Sequence, residues 1–491
     1  MPGLSKSRLL AHRQCPKRLW LQIYKQELLP VTDAATQARF NTGNQVGEIA
    51  RSLYPDGVLI GGNDLQQALR DTSEILKTSP TRPVFEATFE YDSVVVRADL
   101  LLPGAGGYRL VEVKSSASVK DYHLIDAAIQ SWVVQKNGLN LTNTAIAHID
   151  TRFVYSGNGD YQGLLKETPI ADKLTPLLAE VPDWVAAAQA TLSGDEPMIT
   201  PGPQCGTPFD CPFFGHCNPA AAEHTIKVSY PPEDLPHHNG LAAQLREEGY
   251  DDLHQVPEER LIKSLHQRVH ACVESGRAYL DPMARIQLMD LPYPRFYIDF
   301  ETYAPAVPVW AGTRPYATQA PFQWSCHSEG EDGQLRHQAF LAEGPGDPRR
   351  AFLDSLLPVL GEVGAIFVYN AGFERGRLRE LAALFPELGE PVHGIMARIV
   401  DLLPIARAHY YHPDQHGSWS IKAVLPTIAP ELAYDGLIVA DGRMAQSAFQ
   451  EIIDPLTTTE QRQALRQALL DYCERDTLAM VRIAWFFQQV A

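Results

Sequence analysis

The 491-residue chain is too long for one ordinary hydrophobic core, which stops growing near roughly 250 to 300 residues, so two or three domains are expected. Its 45% hydrophobic and 21% charged residues give a globular balance, and no stretch offers the ~18 consecutive apolar residues of a membrane span. A net charge of -17 excludes a broad electrostatic footprint on nucleic acid, which needs clustered Lys and Arg. Any grip on phosphates must be local, or supplied by metals held on carboxylates.

The amino terminus, MPGLSKSRLLAHRQCPKRLW, lacks an apolar signal core followed by a small-residue cleavage site, which predicts a cytoplasmic location with reduced cysteines. Lys6, Arg8, His12, Arg13, Lys17 and Arg18 concentrate positive charge there. Such a run is either a local hold on nucleic acid or a solvated helix face.

Residues 1–220 form the first expected domain. VFEATFEYDSVVVRADLLL and YRLVEVKSS predict strands joined through GAGG, and DYHLIDAAIQSWVVQKNG predicts a helix ending at Gly138. Residues 234–290 predict a short helical connector, its apolar spacing broken at Gly249 and Pro257. Residues 291–491 predict a second α/β domain, with buried strands at RFYIDFETY and AIFVYN. Helices follow at RGRLRELAALF and RQALRQALLDYCERDTLAMVRIAWFFQQ. There is no internal repeat and no low-complexity tract.

Asp99 is expected at the end of a strand, and the next strand delivers Glu112, Val113 and Lys114. Alternation along that strand sets Glu112 and Lys114 on one face, beside Asp99. Oxygen ligands suit hard divalent ions, so Asp99, Glu112 and the Val113 carbonyl make a candidate site for one or two Mg²⁺ or Mn²⁺ ions. Lys114 then orients or activates an attacking water. An E-x-K pair alone is commonplace on solvated strands; the preceding hairpin and the following helix with Gln130 strengthen it.

Together these elements resemble the PD-(D/E)xK nucleases, in particular their RecB-like branch. That resemblance implies a restriction-endonuclease-like fold and a Q-x-x-x-Y element on the helix after the catalytic strand. Here Gln130 is followed by Val134 in place of the tyrosine. The resemblance also implies an upstream helical acid or histidine as a further metal ligand, for which GNQVGEIAR offers Glu48, a residue that reads equally as an exposed helix position.

Cys205, Cys211 and Cys217 form a C-x5-C-x5-C cluster, with Cys15 far upstream. Thiolates at this spacing in a reduced compartment point to soft-metal ligation, either a zinc ion or a [4Fe-4S] cluster, over four small buried hydrophobes. One early and three late cysteines around a RecB-like core resemble the iron-sulfur nucleases of the AddB and CRISPR-adaptation types. That likeness implies a structural cluster stapling the two ends of the domain. Cys272, Cys326 and Cys473 are isolated and read as core residues.

In YIDFET, Asp299 and Glu301 share one strand face. Glu374 follows a strand in YNAGFE, and YCERDTLAM sets Tyr472 and Asp476 four apart on one helix face. Four carboxylates and a tyrosine fit a two-metal phosphoryl-transfer site. In chain order they resemble the DEDD exonucleases of the ribonuclease H-like superfamily. That resemblance implies Asp299, Glu301 and Asp476 as metal ligands and Tyr472 as the residue orienting the nucleophilic water. Glu374 stands where that family has Asp, and Asp401 in RIVDLL is read as a supporting acid.

AHYYHPDQHGSWSIKAVLP, with His409, Tyr410, Tyr411, His412, His416 and Lys422, reads as a base-stacking and phosphate-holding surface or as a packed connector. GTRPYATQAPFQWS, with Arg314, has the same two readings. The whole chain resembles an uncharacterised bacterial family that joins a RecB-like iron-sulfur nuclease domain to a ribonuclease H-like exonuclease domain. The resemblance implies a nuclease acting on DNA in repair, recombination or defence, beside an unidentified helicase or other DNA-processing partner. The alternatives are an RNA exonuclease, or a nucleic-acid-binding module with one or both sites inert.

Overall fold

The computed structural model describes residues 3–30, 34–218, 230–434 and 436–489. The chain is mixed α/β, with two open sheets in two compact units. The first unit is Met1–Thr225 with Pro305–Ala317; the second is Ile226–Ala304 with Thr318–Ala491. Among the described residues no helix is long and apolar enough to cross a membrane.

The first unit is built on seven strands: β1 (Leu4–Ser5), β2 (Val58–Leu59), β3 (Val84–Tyr91), β4 (Val94–Gly104), β5 (Gly107–Lys114), β6 (Leu141–Ile149) and β7 (Leu165–Pro169). They run in the order β2-β3-β4-β5-β6-β7, with β1 parallel to β4. Asp92 and Ser93 both take positive φ, 49° and 60°. That is the turn chemistry that closes a two-residue hairpin between β3 and β4.

Alternation along these strands gives the sheet two apolar faces. One carries Phe85, Leu100, Leu102, Val111, Ala145 and Ala147, with Ala50 of helix α3 (Ala34–Ser52). The other carries Val84, Phe89, Val96, Ala98, Leu110 and Ile146, packed against α1 (Lys6–Gln14), α5 (Asp121–Lys136) and α6 (Ala171–Ser193). Between α1 and α3 lies α2 (Pro16–Tyr24), entered through Pro16 at its first position, where the missing N–H costs nothing. Helix α4 (Leu65–Thr78) lies beside β3.

β4 and β5 pair only from Gly104/Gly107 to Leu100/Val111. Asp99 and Glu112 stand immediately past this point, and β1 pairs with the far part of β4 at Val94 and Val95. Asp99 therefore lies in the middle of a strand. What ends at Asp99 is the pairing with β5, and this parting of strands opens the sheet around the acids.

In the second unit β8 (Tyr279–Leu280) pairs antiparallel with β14 (Tyr410–Tyr411) as a separate two-stranded ladder, and a meander of β9 (Arg295–Tyr303), β10 (Ala320–Glu329) and β11 (Leu335–Leu341) is extended by β12 (Ile366–Val368) and β13 (Ile399–Asp401). Their order is β11-β10-β9-β12-β13, with β12 parallel to both β9 and β13. Gly364 brings β12 beside β9: its φ is +95°, and a Cβ there would meet the Pro294 carbonyl oxygen at 2.0 Å. Phe296, Ile298 and Phe300 of β9 enter a core with Phe352, Leu356 and Leu378. Tyr297, on the opposite face, packs with Met480, Val481 and Phe487 of the C-terminal helix Thr459–Gln488. Thr458 caps that helix, its side chain accepting from the Gln461 amide.

Residues 234–290 do not form a spacer. Leu235, Leu245, Leu253, Val269 and Leu288 share one core with Tyr297 and Phe367, so these short helical turns belong to the second unit. Conversely, residues 305–317 pack within the first unit, where Ala306 and Val307 join Val46, Ile49 and Ile149.

Candidate active sites

The parted strands of the first unit collect a buried polar cluster. Asp99 accepts the Val113 amide at 2.7 Å. Lys114 Nζ donates to Glu112 Oε1 at 2.6 Å and to Asp126 Oδ2 at 2.6 Å. Gln130, fully buried on α5, donates to Glu112 Oε2. Lys6 Nζ adds a second ammonium at 2.8 Å from Glu112 Oε1. Val134, four residues after Gln130, is fully buried in the apolar core. Glu48 is exposed on α3.

Burial, then the negative charge of Glu112, pushes the Asp99 carboxyl up to about 8. Burial alone would raise Glu112 too, but Lys114 and Lys6 outweigh it and hold Glu112 well below its usual range. Both ammoniums are raised in turn by these acids against their own desolvation. The cluster thus holds strongly coupled charges of both signs at the point where the strands separate.

Cys15, Cys205, Cys211 and Cys217 line one small cavity with Lys17 and Arg18. The thiols of Cys211 and Cys217 are raised by burial; Cys217 also senses the other three cysteines, and Cys211 senses Cys205 and Cys15. Cys272, Cys326 and Cys473 are buried. The amino-terminal cations are mostly engaged within the unit. Lys17 pairs with Glu196 at 2.8 Å, Arg13 lies 4.5 Å above the Trp184 ring, and Arg18 donates to Gln14.

In the second unit, β9 carries Asp299 and Glu301 and the C-terminal helix carries Tyr472 and Asp476. Asp299, Glu301 and Asp476 bring one carboxylate oxygen each to within 4.8 Å of one another. They lie beside the carboxyl ends of β9, β12 and β13, the end of an open α/β sheet where ligands gather. Glu374, 2% exposed, sits in the first turn of the helix Gly372–Leu384 that follows β12, and its Oε2 has no hydrogen-bond partner. Asp401 is spent on backbone: it accepts the amides of Asn370 and Ala371, both at 2.9 Å, and of Leu403 at 3.0 Å.

Crowding raises these acids. Burial, then Asp476, Glu301 and Glu374, raises Asp299 well above the usual range. Burial and Asp476 push Glu301 up to about 8, and burial pushes Glu374 up to about 8. Asp476 rises only to about 6, because hydrogen bonds from Tyr434 and Tyr472 and the charge of Lys422 offset its burial.

Nothing local in the sequence ties Lys422, Tyr434 or Cys473 to these acids. Lys422 Nζ lies 3.5 Å from Tyr472 Oη and stands over the rings of Tyr434 and Tyr472 at 5.1 and 5.2 Å. Cys473 Sγ lies 3.7 Å from Asp299 Oδ2. The remainder of the aromatic, histidine-rich segment is packed: Tyr410 and Tyr411 are buried, His409 pairs with Asp281 at 3.2 Å and His416 with Asp234 at 2.8 Å. Arg314 lies in the part of the chain that joins the first unit, where Tyr316 donates to the Ser115 carbonyl at 2.5 Å.

Residues 296–420 match a family model described as a domain of unknown function, DUF2779. That span includes Asp299, Glu301, Glu374 and Asp401, and ends before Lys422, Tyr472 and Asp476. The uncharacterized protein UU173 of Ureaplasma parvum serovar 3 is 30% identical over 141 residues, covering 25% of this chain and 20% of its own length. The uncharacterized protein MG366 homolog of Mycoplasma pneumoniae is 27% identical over 217 residues, covering 40% of this chain and 32% of its own length. The chain therefore spans between about a fifth and a third of these curated relatives. No solved structure matches it.

Proposed function

We propose that this chain is a metal-dependent nuclease hydrolysing phosphodiester bonds of DNA, with a RecB-like centre in the first unit and a DEDD-type exonuclease centre in the second. The observation that carries this reading is the triad of Asp299, Glu301 and Asp476, with one oxygen each inside 4.8 Å. Three crowded acids with raised pKa values, beside a buried Glu374 oxygen that has no partner, are an arrangement that a cation relieves.

Mg²⁺ or Mn²⁺, when bound, supplies stabilisation of phosphate charge and a more acidic water. Asp299, Glu301 and Asp476 are its holders, and Glu374 adds to the negative charge that Asp299 senses. Tyr472 orients water through a hydroxyl that Lys422 steadies. In the first unit Asp99 and Glu112 are the holders, Gln130 fixes the Glu112 carboxylate, and Lys114, whose ammonium donates to Glu112, would orient the attacking water.

The same reading assigns a structural [4Fe-4S] cluster to Cys15, Cys205, Cys211 and Cys217. All four line one cavity, which gathers four thiol donors of the kind that such a cluster or, alternatively, a structural zinc takes.

The test is degradation of end-labelled single-stranded DNA, duplex DNA and RNA of the same sequence, with Mg²⁺ or Mn²⁺, by wild type, Lys114→Ala and Asp299→Ala. Each substitution is expected to abolish one of two separable activities on DNA. Variants that match wild type would sink the site assignments. Degradation of RNA alone makes the chain an RNA exonuclease, and binding without metal-dependent cleavage makes it a binding module.

A further inference from the structure

Lys6 enters the first centre from the far end of the sequence. It follows the two-residue strand β1, which pairs with β4 beyond the point where β5 has left. Ser5 caps α1 by accepting the Arg8 amide, so Lys6 is the first residue of the helix and is fixed to the sheet.

Its Nζ lies 2.8 Å from Glu112 Oε1 and 3.7 Å from Asp126 Oδ1. Lys114 Nζ reaches the same Glu112 oxygen at 2.6 Å and the other Asp126 oxygen at 2.6 Å. Two ammoniums therefore bracket two carboxylates. The exposure of the Glu112 and Asp126 side chains is only 2% and 5%. Glu86 also senses Lys6, and it has cations of its own in Arg51, 3.9 Å away, and Arg97.

Charge counting then limits what the centre can take. With all three carboxylates ionised, the state in which they hold a metal, Asp99, Glu112 and Asp126 against Lys6 and Lys114 leave one net negative charge. One divalent ion converts this to one net positive charge, the sign that receives a phosphodiester. A second ion would leave three positive charges in a buried pocket, an excess that desolvation penalises heavily. Nor is Glu112 Oε1 open to a second ion, since both ammoniums already donate to it.

We propose that Lys6 is a positioning residue that takes the place of a second divalent ion, so that the first centre binds a single Mg²⁺ or Mn²⁺ through Asp99 and Glu112. The inference rests on the nuclease reading of that centre and specifies its metal count. Lys6 acts through Glu112, neutralising one carboxylate oxygen and leaving the other, held by Gln130, with Asp99 for the ion.

The experiment counts Mn²⁺ on the full chain carrying Asp299→Asn and Asp476→Asn, which silence the second centre. Calorimetry gives the stoichiometry, and electron paramagnetic resonance shows whether two ions couple. The expected result is one uncoupled Mn²⁺, lost in Glu112→Gln. Lys6→Met removes one positive charge and is expected to admit a second, coupled Mn²⁺, while Lys6→Arg returns the count to one. Two ions with Lys6 in place overturn the proposal, as does a single ion of unchanged affinity in Lys6→Met. If no bound Mn²⁺ responds to Glu112→Gln, the nuclease reading of this centre itself fails. Thermal unfolding in chelator identifies a Lys6→Met chain that has not folded, and then the count with Lys6 in place decides alone.

Discussion

The hydroxyls of Ser325 and Thr477 lie 2.8 Å apart, joining the strand that faces Asp299 to the helix that carries Asp476. Ser325 is the cross-strand partner of Asp299, and Thr477 follows Asp476 directly. His327 Nδ1 lies 2.8 Å from Thr477 Oγ1, and His337 Nε2 lies 2.9 Å from Ser325 Oγ. Ser325 and Thr477 have no exposed surface, and burial lowers His327 to about 4, which keeps it uncharged at neutral pH. Two acids that repel each other are thus held together from below by a neutral polar network.

The first prediction concerns that network. Thr477→Val keeps the shape of the side chain and leaves Ser325 and His327 each short of a partner. Orphaning buried polar groups costs about 1–3 kcal/mol each, so urea unfolding is expected to show a loss of that order. The proposed metal-dependent exonuclease activity should fall with it, and Thr477→Ser should recover both. A Thr477→Val chain with unchanged stability would show that the hydroxyl contact carries nothing.

Glu374 supplies a prediction in pH. Its folded pKa of about 8 lies above the ordinary value of 4.5, so the folded chain holds this proton more tightly than the unfolded one. The stability this adds is fully present below about 4.5 and is lost as pH rises through about 8. Glu374→Gln removes the dependence. In chelator, the stability of the variant relative to wild type is therefore expected to rise between about pH 5 and pH 8.5, with a ceiling of a few kcal/mol. Added Mn²⁺ should shrink that gap by compensating the ionised carboxylate. A difference independent of pH, measured by urea unfolding, would remove the account of this residue as a carboxyl kept protonated by burial.

What could be seen in sequence follows from how far each residue's position depends on distant chain. Glu112 with Lys114, and Asp299 with Glu301, were visible because strand alternation sets residues two apart on one face. Tyr472 and Asp476 were visible because four residues make about one helical turn. Lys6 was not, since it meets Glu112 across 106 positions, through the pairing of β1 with β4. Asp126 was hidden in a largely buried helix, with nothing local to mark it as a lysine's partner. Residues 234–290 look like a connector because Gly and Pro break their helices, although their leucines build the second core. Residues 305–317 carry no local mark of belonging to the first unit.

Asp401 separates a backbone role from a metal role. Its two oxygens accept three amides, from Asn370, Ala371 and Leu403. They hold a turn in which Asn370 takes a φ of 77°, and this turn launches the helix bearing Glu374. Asp401→Ala is expected to cost about 1–3 kcal/mol through these lost bonds and to lower activity at the second centre. The number of Mn²⁺ ions bound there should stay the same. A lost ion in Asp401→Ala with unchanged stability would make Asp401 a ligand instead.

The cysteine quartet makes the last prediction, and its control lies within the same chain. Cys15 precedes α2, whereas Cys205, Cys211 and Cys217 lie about 190 to 200 positions later. A group bound by all four closes nearly the whole first unit into a loop, and closing a long loop restricts the unfolded chain. Anaerobically purified protein is expected to be brown, with about four irons per chain. Cys211→Ser should lose the colour and lower the unfolding temperature of the first unit. Cys272→Ser, buried in the second unit, should keep the colour whatever it does to stability. Purified protein with zinc and no iron would replace the cluster by a zinc site, and Cys211→Ser with full metal content would detach the quartet from metal altogether.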